Sequence, residues 1–412
     1  MKEKSKISDS IICILLSFMI MSFYIFETAV WGRYVLLGIS ILILLIYSLT
    51  HKFKILLIYN KPFHIYMFIF SLFCLLSSIW AWNFKLAVIK GMTIFSILLC
   101  FSLIYPYFQE KGKIDLLLDA FMFSGYGMVL YTIVYYGISN ITLMLNGNMR
   151  VGNDFTNANS IGLVVTTSCL IQFFYLLKRE RLFYSIFLIP SIMILAISQS
   201  RKAIIMFVLG TFFLLATNSS RKSSYIKKFF NIFIAIIVFI LLIYILFKLD
   251  IFSGVVKRFE VLYESINGVR KQDIRAIYRE IGIQQFLKTP ILGIGMGNSL
   301  ELLESVGERR TYLHCNFVEL LSSGGIIGFV VYYIVYIKLL KDFFKYRKCR
   351  LKTTNLCIIL LILMLIMDYG MVTYYDKQQY LFFMCFFLQS DFIKKDYYMY
   401  KLKKRKKDDV YV

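Results

Sequence analysis

Acidic side chains, proline, histidine and patterned cysteine are what this sequence has least of. Aspartate and glutamate number 24 against 47 lysines and arginines, and charged residues of all kinds make up only 17% of the 412 positions. With 59% hydrophobic residues, the chain lacks the polar surface that a soluble domain of this length presents to water. Prolines number four, at Pro62, Pro106, Pro190 and Pro290, so long helices run with few interruptions. Pro190 falls in the middle of an apolar run and predicts a kink there. The eight cysteines show neither metal nor disulfide spacing. Most lie inside apolar runs, where the thiol acts as a small hydrophobe. No small-residue cleavage motif follows the first apolar segment, which reads as a retained helix.

Long apolar runs are what the chain has in abundance. Each crossing of a bilayer takes about 20 apolar residues. Windows of that kind predict about twelve spans, over 9–29, 32–50, 62–81, 86–108, 114–136, 159–177, 182–199, 202–218, 229–248, 316–340, 354–373 and 378–393. The expected fold is all-α, a polytopic membrane protein forming one integral membrane domain over 1–412. One large extracytoplasmic loop, 249–315, separates spans nine and ten, and a basic tail, 394–412, follows the last span. Within the loop, residues 273–288 place Ile274, Ile277, Tyr278, Ile281 and Leu287 at helical spacing, and Pro290 and Gly293 end that pattern.

Charge orients the chain. With the N-terminus inside, alternate loops carry Lys52 and Lys54; Lys111 and Lys113; Lys178, Arg179 and Arg181; Arg221, Lys222, Lys227 and Lys228; and Lys341, Lys345, Arg347, Lys348, Arg350 and Lys352. Basic residues are retained on the cytoplasmic side, so both termini are expected in the cytoplasm. The net charge of +23 then reflects this bias and contact with anionic membrane lipid, and calls for no nucleic acid.

Charges on the other side stand out against that bias. Arg150 and Asn159 belong to the segment after span five, Arg201 to the tight turn after span seven, and Arg270, Lys271, Arg275, Arg279 and His314 to the long loop. Arginine forks match phosphate oxygens in pairs and stay charged. Arg275 and Arg279 share a helical face, with lipid headgroups the expected partner of Arg279. Of the three histidines, His51 and His64 look incidental, whereas His314 stands where a polar loop enters span ten. An imidazole there is a candidate general base, with Asn316 beside it to orient it or bind a sugar hydroxyl. Glu319, about one turn into the span, is a costly acid in that place and therefore a functional candidate. The alternative is that His314 and Asn316 merely begin the helix. The turn Gly293-Ile-Gly295-Met-Gly297 lacks the strand and helix of a dinucleotide site and reads as close backbone packing. The outward acids Asp154, Glu260, Asp273 and Glu280 are scattered and hold no metal.

Taken in order, these residues resemble the motifs of the O-antigen ligase/polymerase superfamily, which includes the Wzy-type capsule polymerases. Arg150-Val-Gly-Asn-Asp-Phe155-Thr-Asn157-Ala158-Asn159 is similar to R-x-x-G-x-F-x-N-P-N, with Ala158 in place of the proline. Ser200-Arg201-Lys202-Ala203 resembles S-R-G/K-A, and Arg275 followed by Pro290, Gly293 and Gly295 resembles R…P-x-x-G-x-G. His314-Cys-Asn316-Phe-Val-Glu319-Leu, with Gly325 and Gly328 beyond, resembles H-N-x-x-L-E-x-L…G-I-x-G with Cys315 inserted. The resemblance covers residues 150–328. It implies glycosyl transfer without metal or nucleotide cofactor, at the outer face of the bacterial cytoplasmic membrane, as in capsule, O-antigen or exopolysaccharide synthesis. The donor it implies is an oligosaccharide on undecaprenyl pyrophosphate. The acceptor is another lipid-linked repeat unit in a polymerase, or a different hydroxyl in a ligase. His314 and Glu319 are the implied catalytic residues; Arg150, Arg201, Arg275, Asn159 and Asn316 are the implied substrate-binding ones. A chain-length regulator or a flippase is the kind of protein partner it implies.

A flippase or other transporter of lipid-linked sugars is the reading from a different class. Lys90 in span four and Asp368 in span eleven are the features that support it, since charges inside spans mark transport pathways.

Overall fold

The computed structural model describes residues 2–26, 31–50, 61–109, 113–145, 149–152, 156–218, 224–267 and 273–408. Of the residues singled out above, His51, Lys52, Lys54, Lys111, Asp154, Phe155, Arg221, Lys222, Arg270 and Lys271 lie outside these stretches.

Fifteen α-helices and no strand occur among the described residues. In chain order the first eight are α1 (Lys2–Ile25), α2 (Trp31–Thr50), α3 (Pro62–Leu76), α4 (Phe84–Phe108), α5 (Lys113–Leu145), α6 (Ala158–Lys178), α7 (Leu188–Ile197) and α8 (Arg201–Ala216). The rest are α9 (Tyr225–Lys248), α10 (Ser253–Ile266), α11 (Ile274–Lys288), α12 (Ser299–Ser305), α13 (Asn316–Tyr346), α14 (Leu351–Met367) and α15 (Lys377–Asp408). Only a helix or a closed barrel satisfies its backbone in hydrocarbon, and apolar runs with few prolines take the helical route. Seven helical segments are long and apolar enough to cross a membrane: Lys6–Ile25, Pro62–Ile79, Phe84–Phe108, Lys113–Leu145, Ala158–Lys178, Tyr225–Lys248 and Asn316–Cys349. Tyr34–Leu49, Leu182–Ile197 and Leu351–Met367 are shorter apolar helices. The protein is all-α and polytopic.

Span α9 differs from the others. Only 11% of its most apolar window is buried inside the protein, against 44–72% in the other six. An apolar helix so little covered needs an apolar solvent, which the lipid tails supply.

The chain forms two compact units. The first comprises Met1–Ile55 and Asp115–Asp273, the second Leu56–Ile114 and Ile274–Val412. Among the described residues, the segment 249–315 contains three helices: α10 packs with the first unit, and α11 and α12 belong to the second. Pro190 does not kink a helix. A 3-10 turn over Leu182–Phe187 leads into α7, so Pro190 lies in the first turn of an α-helix, where its missing N–H costs nothing.

The glycine-rich segment organises the second unit. Residues 290–298 thread between the α3–α4 turn and a break inside α13. Gly325 (φ 60°) interrupts the helix. The freed N–H groups of Ile326 and Ile327 donate to the carbonyls of Pro290 and Ile291, at 2.8 and 3.3 Å. On the other side, the Trp80 indole donates to Leu292 O at 3.0 Å, Trp82 N to Ile294 O at 3.1 Å, and Met296 N to Ser77 Oγ at 3.0 Å. Asn83 and Asn298 exchange bonds, Asn83 N to Asn298 Oδ1 at 2.7 Å and Asn298 Nδ2 to Asn83 O at 3.3 Å. Side chains have no room here. A Cβ on Gly293 (φ 66°) would lie 2.5 Å from the Ser323 carbonyl carbon, and one on Gly325 would lie 2.2 Å from Ile291 O. Bonds between segments more than 200 residues apart thus fix where α12 begins, and shorter-range bonds tie the same segment to the break in α13.

Candidate active site

In the second unit, His314 is the residue just before the N-cap of α13, which is Cys315. It adopts φ 59°, a left-handed conformation uncommon for a residue with a side chain. Its ring lies nearly parallel to Tyr278, centroids 6.2 Å apart, and packs on Tyr312 at 4.2 Å. Tyr278 comes from α11, over a buried cluster of Leu303, Leu313, Cys315 and Val318. Arg275 is one turn before Tyr278 on the same helical face. The Arg279 guanidinium lies over the ring of Tyr369, 5.2 Å from the centroid. Burial pushes the Cys315 thiol above its ordinary range, so it stands beside His314 as a neutral thiol.

Hydrogen bonds hold both flanks of His314. On one flank, Glu319 accepts from Leu313 N at 3.0 Å through Oε2, and from Ser299 Oγ through Oε1. On the other, Asn316 N donates to the Asp368 carbonyl at 2.7 Å. The Asn316 carboxamide is occupied inside the protein. Its Nδ2 donates to the Tyr333 hydroxyl at 2.9 Å and Asp368 Oδ2 at 3.4 Å, and its Oδ1 accepts from Thr373 N at 3.0 Å and Tyr374 N at 3.1 Å. With no exposed surface, Asn316 locks α13 to the 368–374 turn.

The two charges placed in spans also have local partners. Lys90 holds its ammonium 3.3 Å from the centre of the Tyr375 ring, with its stem against Gly297. Asp368 lies just past the end of α14, where it accepts from Thr373 Oγ1 at 2.6 Å and from the Tyr333 hydroxyl at 2.9 Å. Both charges thus have partners inside the protein.

In the first unit, two predicted residues, Arg150 and Asn159, meet. Arg150 donates from Nε to Ser198 O at 2.7 Å and from Nη2 to Asn159 Oδ1 at 3.1 Å. The same Asn159 oxygen accepts from Ser200 Oγ at 3.0 Å. Backbone pairing of Val151 N to Ile197 O at 3.1 Å joins the two segments. Gln199, in a left-handed conformation (φ 48°), turns the chain between α7 and α8. Ser200 then caps α8 by accepting from Ala203 N at 3.4 Å. Arg201 is the first residue of α8 and donates from Nη1 to Arg258 O of α10 at 3.0 Å. Arg201 and Lys202 stand at a helix N-terminus with no acid in its first turn, where the dipole already favours an anion.

Thus Arg150, Asn159 and Arg201 fall in one unit, and Arg275, His314, Asn316 and Glu319 in the other. Sequence reasoning missed Tyr278, Ser198 and Ser299 as partners of these residues. Of the three, Tyr278 had a signal, since it lies one turn from Arg275 in the predicted helix. Among the described residues, no group of three His, Cys, Asp or Glu side chains is arranged to hold a metal.

Residues 186–333 match the family model described as O-antigen ligase. By that match, the stretch is similar to O-antigen ligases. It contains Arg201, Arg275, His314, Asn316 and Glu319, while Arg150 and Asn159 precede it. No curated protein matches the chain. The match supports the superfamily resemblance of the ordered motifs, and with it an O-antigen ligase- or polymerase-like activity in polysaccharide assembly.

Proposed function

We propose that the protein is a metal-independent glycosyltransferase, a polysaccharide polymerase of the bacterial cytoplasmic membrane with both termini inside. It moves a growing glycan from undecaprenyl pyrophosphate onto a lipid-linked repeat unit at the outer face. The acceptor hydroxyl oxygen attacks the anomeric carbon of the donor. The bond from that carbon to the pyrophosphate oxygen breaks, the oxygen keeps the electron pair, and the acceptor proton passes to the imidazole of His314. Positioned bases contribute about 10²–10⁴-fold. The departing pyrophosphate gathers negative charge, which preorganised arginines stabilise. Arg201, in the first unit, is proposed as an anion-binding residue because it adds a fork to a helix N-terminus. Arg275 is proposed because its face of α11 carries Tyr278 to His314.

The observation that carries this reading is the left-handed His314, held on both flanks at the start of α13. Backbone strain at a residue of this chemistry is a feature of functional sites. The family description favours a second reading, a ligase that uses a different acceptor. Incubating the purified protein with lipid-linked repeat unit, alone and together with a separate hydroxyl-bearing glycan acceptor, separates the two. A ladder of products marks a polymerase. No ladder, with one transfer to a separate acceptor, marks a ligase, and neither product removes both readings.

A further inference from the structure

Two buried carboxylates, Glu319 and Asp368, flank the His314 turn from opposite sides. Glu319 is 2% exposed and Asp368 is fully buried. Neither has a surface on which a sugar hydroxyl can approach, so neither is suited to take the acceptor proton itself. What each holds is more telling. Glu319 lies one turn into α13 and reaches back with both oxygens, one to the N–H of Leu313, the residue before His314, and one to Ser299, the first residue of α12. Asp368 takes the first backbone N–H of α13 on its carbonyl. Its carboxylate gathers the Asn316 amide and the hydroxyls of Tyr333, Tyr336 and Thr373.

The left-handed backbone at His314 is the part that needs holding. For a residue with a side chain it is costly unless its surroundings over-determine it. Leu313 and Asn316 bracket the turn: the Glu319 carboxylate holds the Leu313 N–H, while the Asp368 main-chain carbonyl holds the Asn316 N–H and its carboxylate the Asn316 side-chain amide. Release of either flank lets His314 relax to an ordinary φ, which turns its ring off Tyr278 and Tyr312.

We infer that Glu319 and Asp368 are positioning residues that hold His314 in its left-handed turn, Glu319 through Leu313 and Asp368 through Asn316. The inference rests on His314 being the base. It predicts an effect on turnover rather than on substrate binding. It also predicts no effect where His314 is gone.

The test uses the full-length protein, purified in detergent, and the lipid-linked repeat unit. Glu319→Gln and Asp368→Asn are made in the wild type and in a His314→Ala background. Each is expected to lower kcat about 10- to 100-fold, as small misplacements of a reacting group do, with KM nearly unchanged. In the His314→Ala background neither is expected to change the residual rate. An equal fold-loss in both backgrounds, or full kcat in the single variants, overturns the inference. Should either variant fail to fold, Ser299→Ala and Tyr333→Phe remove one partner of each carboxylate. They are expected to lower kcat several-fold with the same dependence on His314, and wild-type kcat in both overturns the inference. A His314→Ala protein with full activity instead overturns the reading of His314 as base.

Discussion

The backbone N–H of Ile326 donates to the carbonyl of Pro290 at 2.8 Å, across the break that Gly325 makes in α13. This bond closes a helix interruption with backbone from a distant segment, as irregular structure in a membrane helix requires. Gly325→Ala places a methyl 2.2 Å from Ile291 O in a left-handed conformation. The backbone conformation alone costs about 1–3 kcal/mol, and the clash adds to it. Thermal unfolding in detergent is expected to shift down by several degrees and product yield to fall. An unchanged Tm contradicts the threaded arrangement.

Arg201→Lys tests the anion role in the first unit. Lysine keeps the charge at the start of α8 but loses the paired donors. Transfer is expected to fall at least about tenfold at equal protein level, a loss of about 1.4 kcal/mol of transition-state stabilisation. A Lys variant that makes wild-type product identifies Arg201 as an interfacial anchor.

Arg150 and Asn159 act as a pair. Their bond at 3.1 Å joins two segments that also share Ser198 and Ser200. Arg150→Ala and Asn159→Ala are each expected to lower Tm, and the double variant to fall short of the sum. Coupling within one network is about 0.5–3 kcal/mol. Strict additivity in a double-mutant cycle contradicts a shared network.

Topology has a direct check. Cys349 is half-buried at the end of α13, whereas the other seven native cysteines are buried. With both termini inside, a cysteine at Ser265, in the last turn of α10, reacts with an impermeant thiol reagent added to intact cells. Cys349 stays unlabelled until the membrane is opened. The reverse pattern inverts the orientation and removes the proposed outer-face chemistry.

Much of the helical architecture was legible because apolar length is a local signal. Predicted runs such as 86–108 and 159–177 lie within α4 and α6 nearly end to end. The helix anticipated over 273–288 is α11 (Ile274–Lys288). The meeting of Arg150 and Asn159, next to the turn that leads to Arg201, was less legible. The resemblance grouped their motifs, but the turn through Gln199 that joins them rests on hydrogen bonds between distant segments. Least legible was the 290–298 segment. Its glycines signalled close packing, but its partners Ser77, Trp80 and Trp82 are more than 200 positions away, and no period in the sequence connects them. The same holds for Asn316 and Asp368. The amide looked free to meet substrate until the 368–374 turn was seen to enclose it.

His314 is the centre of the proposal, and its removal is the most direct measurement. The full-length His314→Ala protein, purified beside the wild type, is incubated with the lipid-linked repeat unit and the products are separated by size. A catalytic base at this position predicts a folded, membrane-inserted protein that leaves the units unpolymerised. A full-length product ladder from His314→Ala contradicts it.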